Sequence, residues 1–205
     1  VQKETGKNVR VIESPFYPAT DVDIPDEDVE ISGKRYIFTF STMNLLKGIR
    51  LIGDCIAKIM EHNPDIHWIF AGVEVPWIDT DGQRISPSEY IISKSTGYED
   101  RILFLGKICH ERVLRILSNA TACVMPSRID NLPNTCIEAM AMGKIVIGSR
   151  GASFDQLITD GESGFLIERE NPDDLIRAVN NVLSLSDKKR AEIARRAKER
   201  IGKMK

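Results

Sequence analysis

Short runs of β-branched and aromatic residues alternate with amphipathic segments along most of this 205-residue chain. The runs lie at 36–41 (YIFTFS), 66–71 (IHWIFA), 102–105, 122–125, 145–147 and 164–167. Such short, almost wholly apolar runs are typical of strands in a sheet that helices cover on both faces. The alternation therefore predicts an α/β fold, with a Rossmann-like doubly wound parallel sheet of about six strands.

The segments between these runs carry the signals of helices. Ile49, Ile52, Ile56 and Ile59 recur at helical spacing, and Asn63-Pro64 ends that helix. Further helices are expected at 86–95, 111–118 and 135–142, after the turn 151–153, from Pro172 and from about Asp187 to the end of the chain. Residues 73–100 show no clear period apart from the short helix.

The start of the chain differs in character from the rest. Residues 21–30 (DVDIPDEDVE) are acidic, and we expect them to form a solvated loop. We divide the chain into an N-terminal lead or interdomain linker, 1–34, and one folded domain, 35–205. The first residues have neither an initiating Met nor the apolar stretch of a signal peptide. We expect the chain to be a piece excised from a longer protein.

Composition narrows the class of partner and the compartment. The formal net charge of −2 gives no reason to expect a nucleic-acid partner. The cysteines form no C-x-x-C pair, which argues against zinc and redox motifs and indicates free thiols in a reducing compartment. No apolar run approaches the ~20 residues that cross a bilayer. A soluble, cytoplasmic protein is expected.

Charged residues follow two of the predicted strands, at the edge where doubly wound sheets bind ligands. Lys47-Gly48 stands just before a helix, where free backbone amides and the helix dipole favour an anion. Asp130 precedes the turn 131–134, and Glu138 lies eight positions later in the next helix. The two carboxylates can accept paired hydrogen bonds from a hydroxyl-rich ligand. From spacing alone, a surface lysine, turn-capping residues and a solvated helix charge remain open alternatives.

Read together, these segments resemble the C-terminal domain of family 4 glycosyltransferases, which have the GT-B architecture. The resemblance runs from Tyr36 to the end of the chain. It is densest over MPSRIDNLPNTCIEAMAMGKIVIGSRGASFDQLITDGESGFLIERENPDDL, and Lys47-Gly48, Ala71-Gly72 and ILFLGKI match as well. It implies the donor domain of a retaining glycosyltransferase of the hexosyltransferase type, which transfers a sugar from a nucleotide-diphosphate sugar to an acceptor hydroxyl.

The resemblance also implies roles for single residues. The family carries two acids separated by seven residues, and here these are Asp130 and Glu138. Glu138 would accept hydrogen bonds from the ribose hydroxyls. Asp130, near the donor sugar, and Lys47, beside the leaving diphosphate, would be the catalytic groups. The main chain at Lys107 and Ile108 would meet the base. The remaining donor-binding positions would be Asn131, Leu132, Pro133, Asn134, Thr135 and Thr42.

The sequence departs from the family pattern at two of these positions. An Arg is usual a few residues before the Lys, and here Thr42 stands in that place, so one of two expected phosphate cations is missing. Arg128 and Arg150 are the candidates to replace it. The first acid is Asp130 rather than Glu, which shortens its reach by one methylene. Both departures bear on the identity of the donor.

The resemblance extends to partners and setting. The acceptor, a glycan or a lipid-linked sugar, is expected to bind an N-terminal domain absent from this chain, so the fragment alone is expected to be inactive. No cofactor and no metal ion are expected, because fixed positive groups do the metal's work in this fold. The basic stretch 187–205 is expected to pack on the absent domain or to make a peripheral membrane contact. Polysaccharide or glycolipid biosynthesis is the implied setting.

Other functions remain open. A GT-B-fold sugar-nucleotide epimerase would need no acceptor, and a sugar phosphorylase would need phosphate and a pyridoxal cofactor, for which the chain has no lysine motif. The missing Arg keeps open a non-catalytic nucleotide-sugar-binding module. No G-x-G-x-x-G follows the first strand, and no G-x-x-x-x-G-K-[ST] is present. His62, His67 and His110 are isolated in the sequence, and we expect them to be structural.

Overall fold

The computed structural model describes residues 31–204. The strands in this range are β1 Arg35–Phe40, β2 Ile66–Ala71, β3 Trp77–Ile78, β4 Arg84–Ile85, β5 Ile102–Phe104, β6 Ala122–Met125, β7 Val146–Ser149 and β8 Phe165–Ile167. The α-helices are α1 Ile49–His62, α2 Pro87–Lys94, α3 His110–Asn119, α4 Asn134–Ala141, α5 Phe154–Leu157, α6 Pro172–Ser184 and α7 Asp187–Gly202.

Six of the strands form one parallel sheet in the order β5-β2-β1-β6-β7-β8. From β1 the chain moves outward through β2 to β5. It then returns to the other side of β1 and moves outward again through β6, β7 and β8. The predicted fold class, a doubly wound parallel sheet of about six strands, is confirmed. Its switch point lies between β1 and β6, where such sheets form a ligand-binding crevice.

Helices cover both faces of the sheet. One core holds apolar side chains of α1, α2 and α6 against the sheet, among them Ile52 and Val179. The other holds side chains of α3, α4, α5 and the end of α7, among them Met140 and Phe154. Because both faces are covered, every residue of β6 and β7 is buried. This explains why the strands appear in the sequence as continuous apolar runs rather than as alternating patterns.

Most predicted elements form close to their expected bounds. The helix expected to end before Asn63-Pro64 is α1, and the helix expected at 86–95 is α2. The Ser86 side chain accepts a hydrogen bond from the Glu89 N–H, while the Glu89 carboxylate accepts one from the Ser86 N–H. This reciprocal capping explains where α2 begins.

The structure differs from the sequence expectations in one segment and leaves another untested. The irregular segment 73–100 contains a hairpin of β3 and β4 that we did not predict, because strands of two residues are too short to show a period. Residues 1–30, which include the acidic segment 21–30, lie outside the described residues. The division of the chain at residue 34 therefore stays a prediction, although β1 begins at Arg35.

Candidate functional site

Two loops at the switch point bring a cation and a carboxylate together. Lys47 lies in the loop after β1, and Asp130 lies in the loop after β6. The Lys47 Nζ is 2.6 Å from the Asp130 Oδ2. The Asp130 side chain is only 9% exposed and the Lys47 side chain 30%. The pair is therefore partly removed from water, where charge interactions are stronger than at a fully solvated surface.

The backbone of the two loops explains why this pair can form. Gly48 adopts φ 73°, and a Cβ on it would lie 2.0 Å from the Pro126 carbonyl oxygen. Only glycine allows this approach and this conformation. The Arg128 N–H donates to the Leu46 carbonyl at 2.8 Å, which holds the loops together. The Lys47-Gly48 pair in the sequence thus has a packing reason as well as a charge.

The turn after Asp130 presents backbone donors next to this pair. Within residues 31–204, the N–H groups of Asn131, Leu132 and Thr135 donate no hydrogen bond. Pro133 precedes α4 and supplies no side-chain cap. The Ser153 hydroxyl donates to the Asp130 carbonyl at 2.8 Å and fixes the turn. Free N–H groups at a helix start favour phosphate or hydroxyl oxygens, since the dipole adds to the donors.

Glu138 lies one turn into α4, and the Asn134 side chain lies exposed at the start of that helix. The Glu138 side chain is 16% exposed, and its Oε1 is 4.0 Å from the His110 Nε2. Burial raises the pKa of Glu138, and His110 opposes this shift. Glu138 is therefore a half-buried carboxylate with few hydrogen bonds of its own, a suitable acceptor for ligand hydroxyls.

His110 is a site residue that sequence reasoning missed. It begins α3, and the fold places that helix start beside α4, so the imidazole faces Glu138. Nothing in the spacing of His110 and Glu138, 28 positions apart, signals this contact. The expectation of a structural role for His110 stays a prediction. The contact joins the start of α3 to the first turns of α4.

Lys107 and Ile108 lie in the loop between β5 and α3. Lys107 is exposed, and Ile108 is partly buried against the core on the α4 side of the sheet. The preceding Gly106 accepts a hydrogen bond from the Gly72 N–H at 2.8 Å, so the loop is tied to the end of β2. Since His110 follows two residues after Ile108, this loop leads directly to Glu138.

The cation missing at Thr42 is not simply replaced. Thr42 is exposed after β1 and carries no charge. The Arg128 Nε is 3.0 Å from Glu170, and the Arg150 guanidinium pairs with Asp160 and Glu168. Both candidate arginines therefore pair with exposed carboxylates, as Lys47 pairs with the more buried Asp130. Lys47 and Arg128 both lie in the loops at the switch point.

The groups along this edge of the sheet suit a ligand that carries both an anion and hydroxyl groups. A lysine and a row of free N–H groups suit an anion, and a half-buried carboxylate one turn away suits hydroxyls. Within residues 31–204, no group of three or more His, Cys, Asp or Glu side chains could hold a metal ion. The same residues include no helix with the length and apolar character needed to cross a membrane.

Comparison with known sequences gives the family. The family described as "Glycosyl transferases group 1" matches residues 23–200. Spore coat protein SA of Bacillus subtilis is 23% identical over 178 residues, which are 86% of this chain and 44% of that protein. The chain therefore spans less than half the length of this relative.

Solved structures show the same fold. The C-terminal domain of the group 1 glycosyl transferase LpcC from Francisella tularensis superimposes with a TM-score of 0.75 at 22% identity, covering 90% of this chain and 96% of that domain. HepE of Anabaena, solved in complex with UDP and glucose, superimposes with a TM-score of 0.72 at 20% identity, covering 85% of this chain and 45% of HepE. With its sheet, its switch-point loops and a family match across most of its length, the chain belongs to the group 1 glycosyl transferases.

Proposed function

We propose that this chain is the donor domain of a retaining glycosyltransferase and binds a nucleotide-diphosphate sugar at the switch point. The observation that carries the proposal is the meeting of Lys47 and Asp130 at 2.6 Å beside the uncapped start of α4. A cation, a carboxylate and free amides are what a sugar diphosphate requires, because its phosphates are anionic and its sugar is rich in hydroxyls.

The diphosphate occupies the end of the site at Lys47. Its oxygens accept hydrogen bonds from Lys47 and from the free N–H groups of Asn131, Leu132 and Thr135. As the bond to the sugar breaks, negative charge grows on the departing diphosphate, and these fixed donors stabilise it without reorganising. An electrostatic effect of this kind contributes about 3–4 kcal/mol per donor in measured cases. The proposed site needs no metal ion.

The sugar lies at Asp130 and the turn 131–134, and the nucleoside lies toward α3. Glu138 accepts hydrogen bonds from the ribose hydroxyls, and the main chain at Lys107 and Ile108 meets the base. In support, the loop that carries Lys107 and Ile108 leads to His110, which is 4.0 Å from Glu138. The complexes of HepE with UDP support a uridine nucleotide as one candidate donor.

The acceptor binds a second domain outside this chain, across a cleft from Lys47. Spore coat protein SA is more than twice as long as the segment that matches this chain. This length supports a whole protein of two domains. The acceptor class we propose is a glycan or a lipid-linked sugar, in polysaccharide or glycolipid biosynthesis. The location is cytoplasmic, with a peripheral membrane contact through α7.

Calorimetric titration of nucleoside diphosphates and their sugar conjugates tests the donor site. One nucleotide should bind, and Glu138→Ala should weaken it by about 1–3 kcal/mol, because ribose hydroxyls then lose their acceptor. Glu61→Ala, which removes an exposed glutamate from α1, is the control and should change nothing. If every nucleotide fails to bind both this chain and the full-length protein, the donor assignment is wrong.

A second candidate, a nucleotide-sugar-binding module without catalysis, is favoured by Thr42, which supplies no phosphate cation. Binding alone does not separate the two. Hydrolysis or transfer of the donor by the full-length protein supports the enzyme. Tight donor binding without turnover, for every acceptor of the proposed class, supports the binding module.

A further inference from the structure

A cavity lies at the opposite end of the sheet from Lys47. It has a volume of about 620 Å³ and opens where β1, β6 and β7 begin. Three cations line it, namely Arg35 at the start of β1, Lys144 before β7 and Arg190 in the first turn of α7. Among residues 31–204, Asp187 is the one acidic residue of the lining. The lining therefore has a formal charge of +3 − 1 = +2.

Backbone carbonyls, rather than carboxylates, hold two of the three cations. The Lys144 Nζ donates to the carbonyls of Ser118 and Ala120. The Arg190 guanidinium donates to the Leu185 carbonyl at 3.3 Å. Among the described residues, neither Lys144 nor Arg190 forms an ion pair with a carboxylate.

The third cation is only partly neutralised. Arg35 donates to Asp65 at 2.9 Å through one nitrogen and to the Leu183 carbonyl at 2.5 Å through the other. Its charge still acts on Arg190. Burial lowers the pKa of Arg190, Arg35 adds to that shift, and Asp187 opposes it.

Asp187 offsets part of the Arg190 charge, whereas no carboxylate among the described residues pairs with Lys144. Burial lowers the pKa of Lys144, and Lys198 adds to the shift. A cation in partly desolvated surroundings without a counter-charge is unfavourable. An anion in the cavity would reduce this cost, because three cationic side chains line it.

We propose that this cavity is a binding site for a small soluble ligand that carries a phosphate group. Two guanidinium groups and one ammonium form the donor set that proteins use for phosphate oxygens. The volume lies within the range of about 300–1,000 Å³ of small-molecule sites and leaves room beyond one phosphate. The apolar side chains of Ile145, Leu183 and Leu185 line the rest of the cavity and offer a surface for the ligand's remaining atoms.

This site is independent of the proposed donor site. Its cations lie where the strands begin, whereas Lys47 and Asp130 lie where the strands end. A ligand here does not compete with a nucleotide sugar, and the two sites can fail separately.

The test uses the 205-residue chain with inorganic phosphate and pyrophosphate as probes. Amide chemical shifts locate the bound anion, and titration gives its Kd in the unmodified chain, in Arg190→Gln and in Arg35→Gln. Lys188→Gln is the matched control, because it removes a charge from the same helix outside the cavity. Lys47→Gln identifies phosphate that binds at the donor site instead. Sedimentation with phosphatidylglycerol vesicles identifies a lipid headgroup as the source of phosphate.

The proposal expects shifts at Lys144, Arg190 and their neighbours, and a Kd that rises about tenfold in Arg190→Gln or Arg35→Gln, equivalent to about 1.4 kcal/mol. Lys188→Gln and Lys47→Gln should leave these shifts unchanged. The shift map of the unmodified chain decides the case even if a variant fails to fold. Shifts confined to Lys47 and the start of α4, an equal loss in Lys188→Gln, or binding to vesicles without binding of soluble phosphate would overturn it.

Discussion

Glu138 keeps its carboxylate half out of water, and the folded protein does not fully compensate the charge. Burial raises its pKa above the ordinary value, and His110, at 4.0 Å, only opposes that shift. A carboxyl group whose pKa is higher in the folded state binds protons more tightly there. Stability therefore falls as pH rises from the unfolded-state pKa through the folded-state pKa, and the loss is complete above the folded-state pKa.

We predict that Glu138→Gln stabilises the free chain at neutral pH while it weakens nucleotide binding. The amide keeps the shape of the side chain but carries no charge to desolvate, so Tm should rise at pH 7. The gain should vanish toward pH about 3, well below the ordinary Glu pKa of about 4.3, where the carboxyl is protonated in both states. Thermal melts across this pH range measure the effect, and Glu61→Gln on the exposed face of α1 is the control. A Tm that falls at pH 7 would contradict the prediction.

The Lys47–Asp130 pair invites a double-mutant cycle. Because the Asp130 side chain is only 9% exposed, loss of Lys47 leaves a desolvated carboxylate without its cation. We predict that Lys47→Met and Asp130→Asn couple by about 1 kcal/mol or more in the free energy of unfolding. Urea denaturation of the single and double variants measures the coupling.

The control for this cycle is the exposed pair Arg195–Glu199 on α7. Its side chains are 60% and 50% exposed, so its coupling should be about 0.3–0.5 kcal/mol. Added salt should reduce the control coupling more than the Lys47–Asp130 coupling, since buried pairs are screened less. Equal couplings at both pairs would mean that the switch-point pair is only a surface contact.

At the scale of elements, the loops that follow the strands lock into one another. Gly48 closes on Pro126 after β6, and Gly72 closes on Ser41 after β1, where a Cβ would lie 1.7 Å from the carbonyl oxygen. The glycines of the Lys47-Gly48 and Ala71-Gly72 matches therefore set the distance between loops. Site geometry depends on these contacts, because each loop contributes one side of the site.

We predict that Gly48→Ala destabilises the chain by at least about 2 kcal/mol more than Gly82→Ala. Both positions have positive φ, 73° and 82°, so both substitutions carry the same backbone strain. Only at Gly48 does the new methyl group meet the Pro126 carbonyl, at 2.0 Å, whereas nothing lies within 4 Å at Gly82. Denaturant unfolding measures this difference in the free energy of unfolding. Equal destabilisation by the two substitutions would mean that the two loops separate easily, and would contradict the prediction.

The hairpin of β3 and β4 is held by contacts that only the folded chain provides. The Trp77 and Tyr90 rings meet edge to face with centroids 5.4 Å apart. Asp79 lies 3.4 Å from Arg50, and the Tyr90 hydroxyl donates to Asp54 at 2.5 Å. These contacts tie the segment to α1, close to Lys47. The segment has order without a local sequence signal because its partners lie on another element.

At the scale of the whole molecule, local signals predicted the sheet and the helices, since strand runs and caps such as Ser86 are properties of neighbouring residues. The positions of Lys47 and Asp130 at strand ends were predictable for the same reason. Their direct contact was not, because it joins residues 83 positions apart. His110 beside Glu138 and the cations around Arg190 likewise depend on how helices pack.

The reactivity of the four cysteines depends on the whole fold, because the fold decides which thiols are buried. Cys55, Cys123 and Cys136 are buried, and Cys109 is exposed. Burial raises the pKa of Cys55 and of Cys123 to about 12, and raises the pKa of Cys136 as well. Thiolate is the reactive form, so the buried thiols are doubly protected. A thiol reagent should therefore label one cysteine per native chain and all four after unfolding.

We predict that a bound nucleotide protects Cys109 in the native chain. Cys109 directly follows Ile108, where the proposed site places the base, so an occupied site covers its thiol. At about 100 times the Kd, labelling should slow about 100-fold, in proportion to the free fraction of the chain. Glu138→Ala raises the Kd about 5- to 150-fold, so at the same nucleotide concentration the slowing should fall to between about 20-fold and less than twofold. If calorimetry shows saturation while Cys109 still reacts at full rate, the base lies elsewhere, and the orientation of the donor along α4 must be reversed.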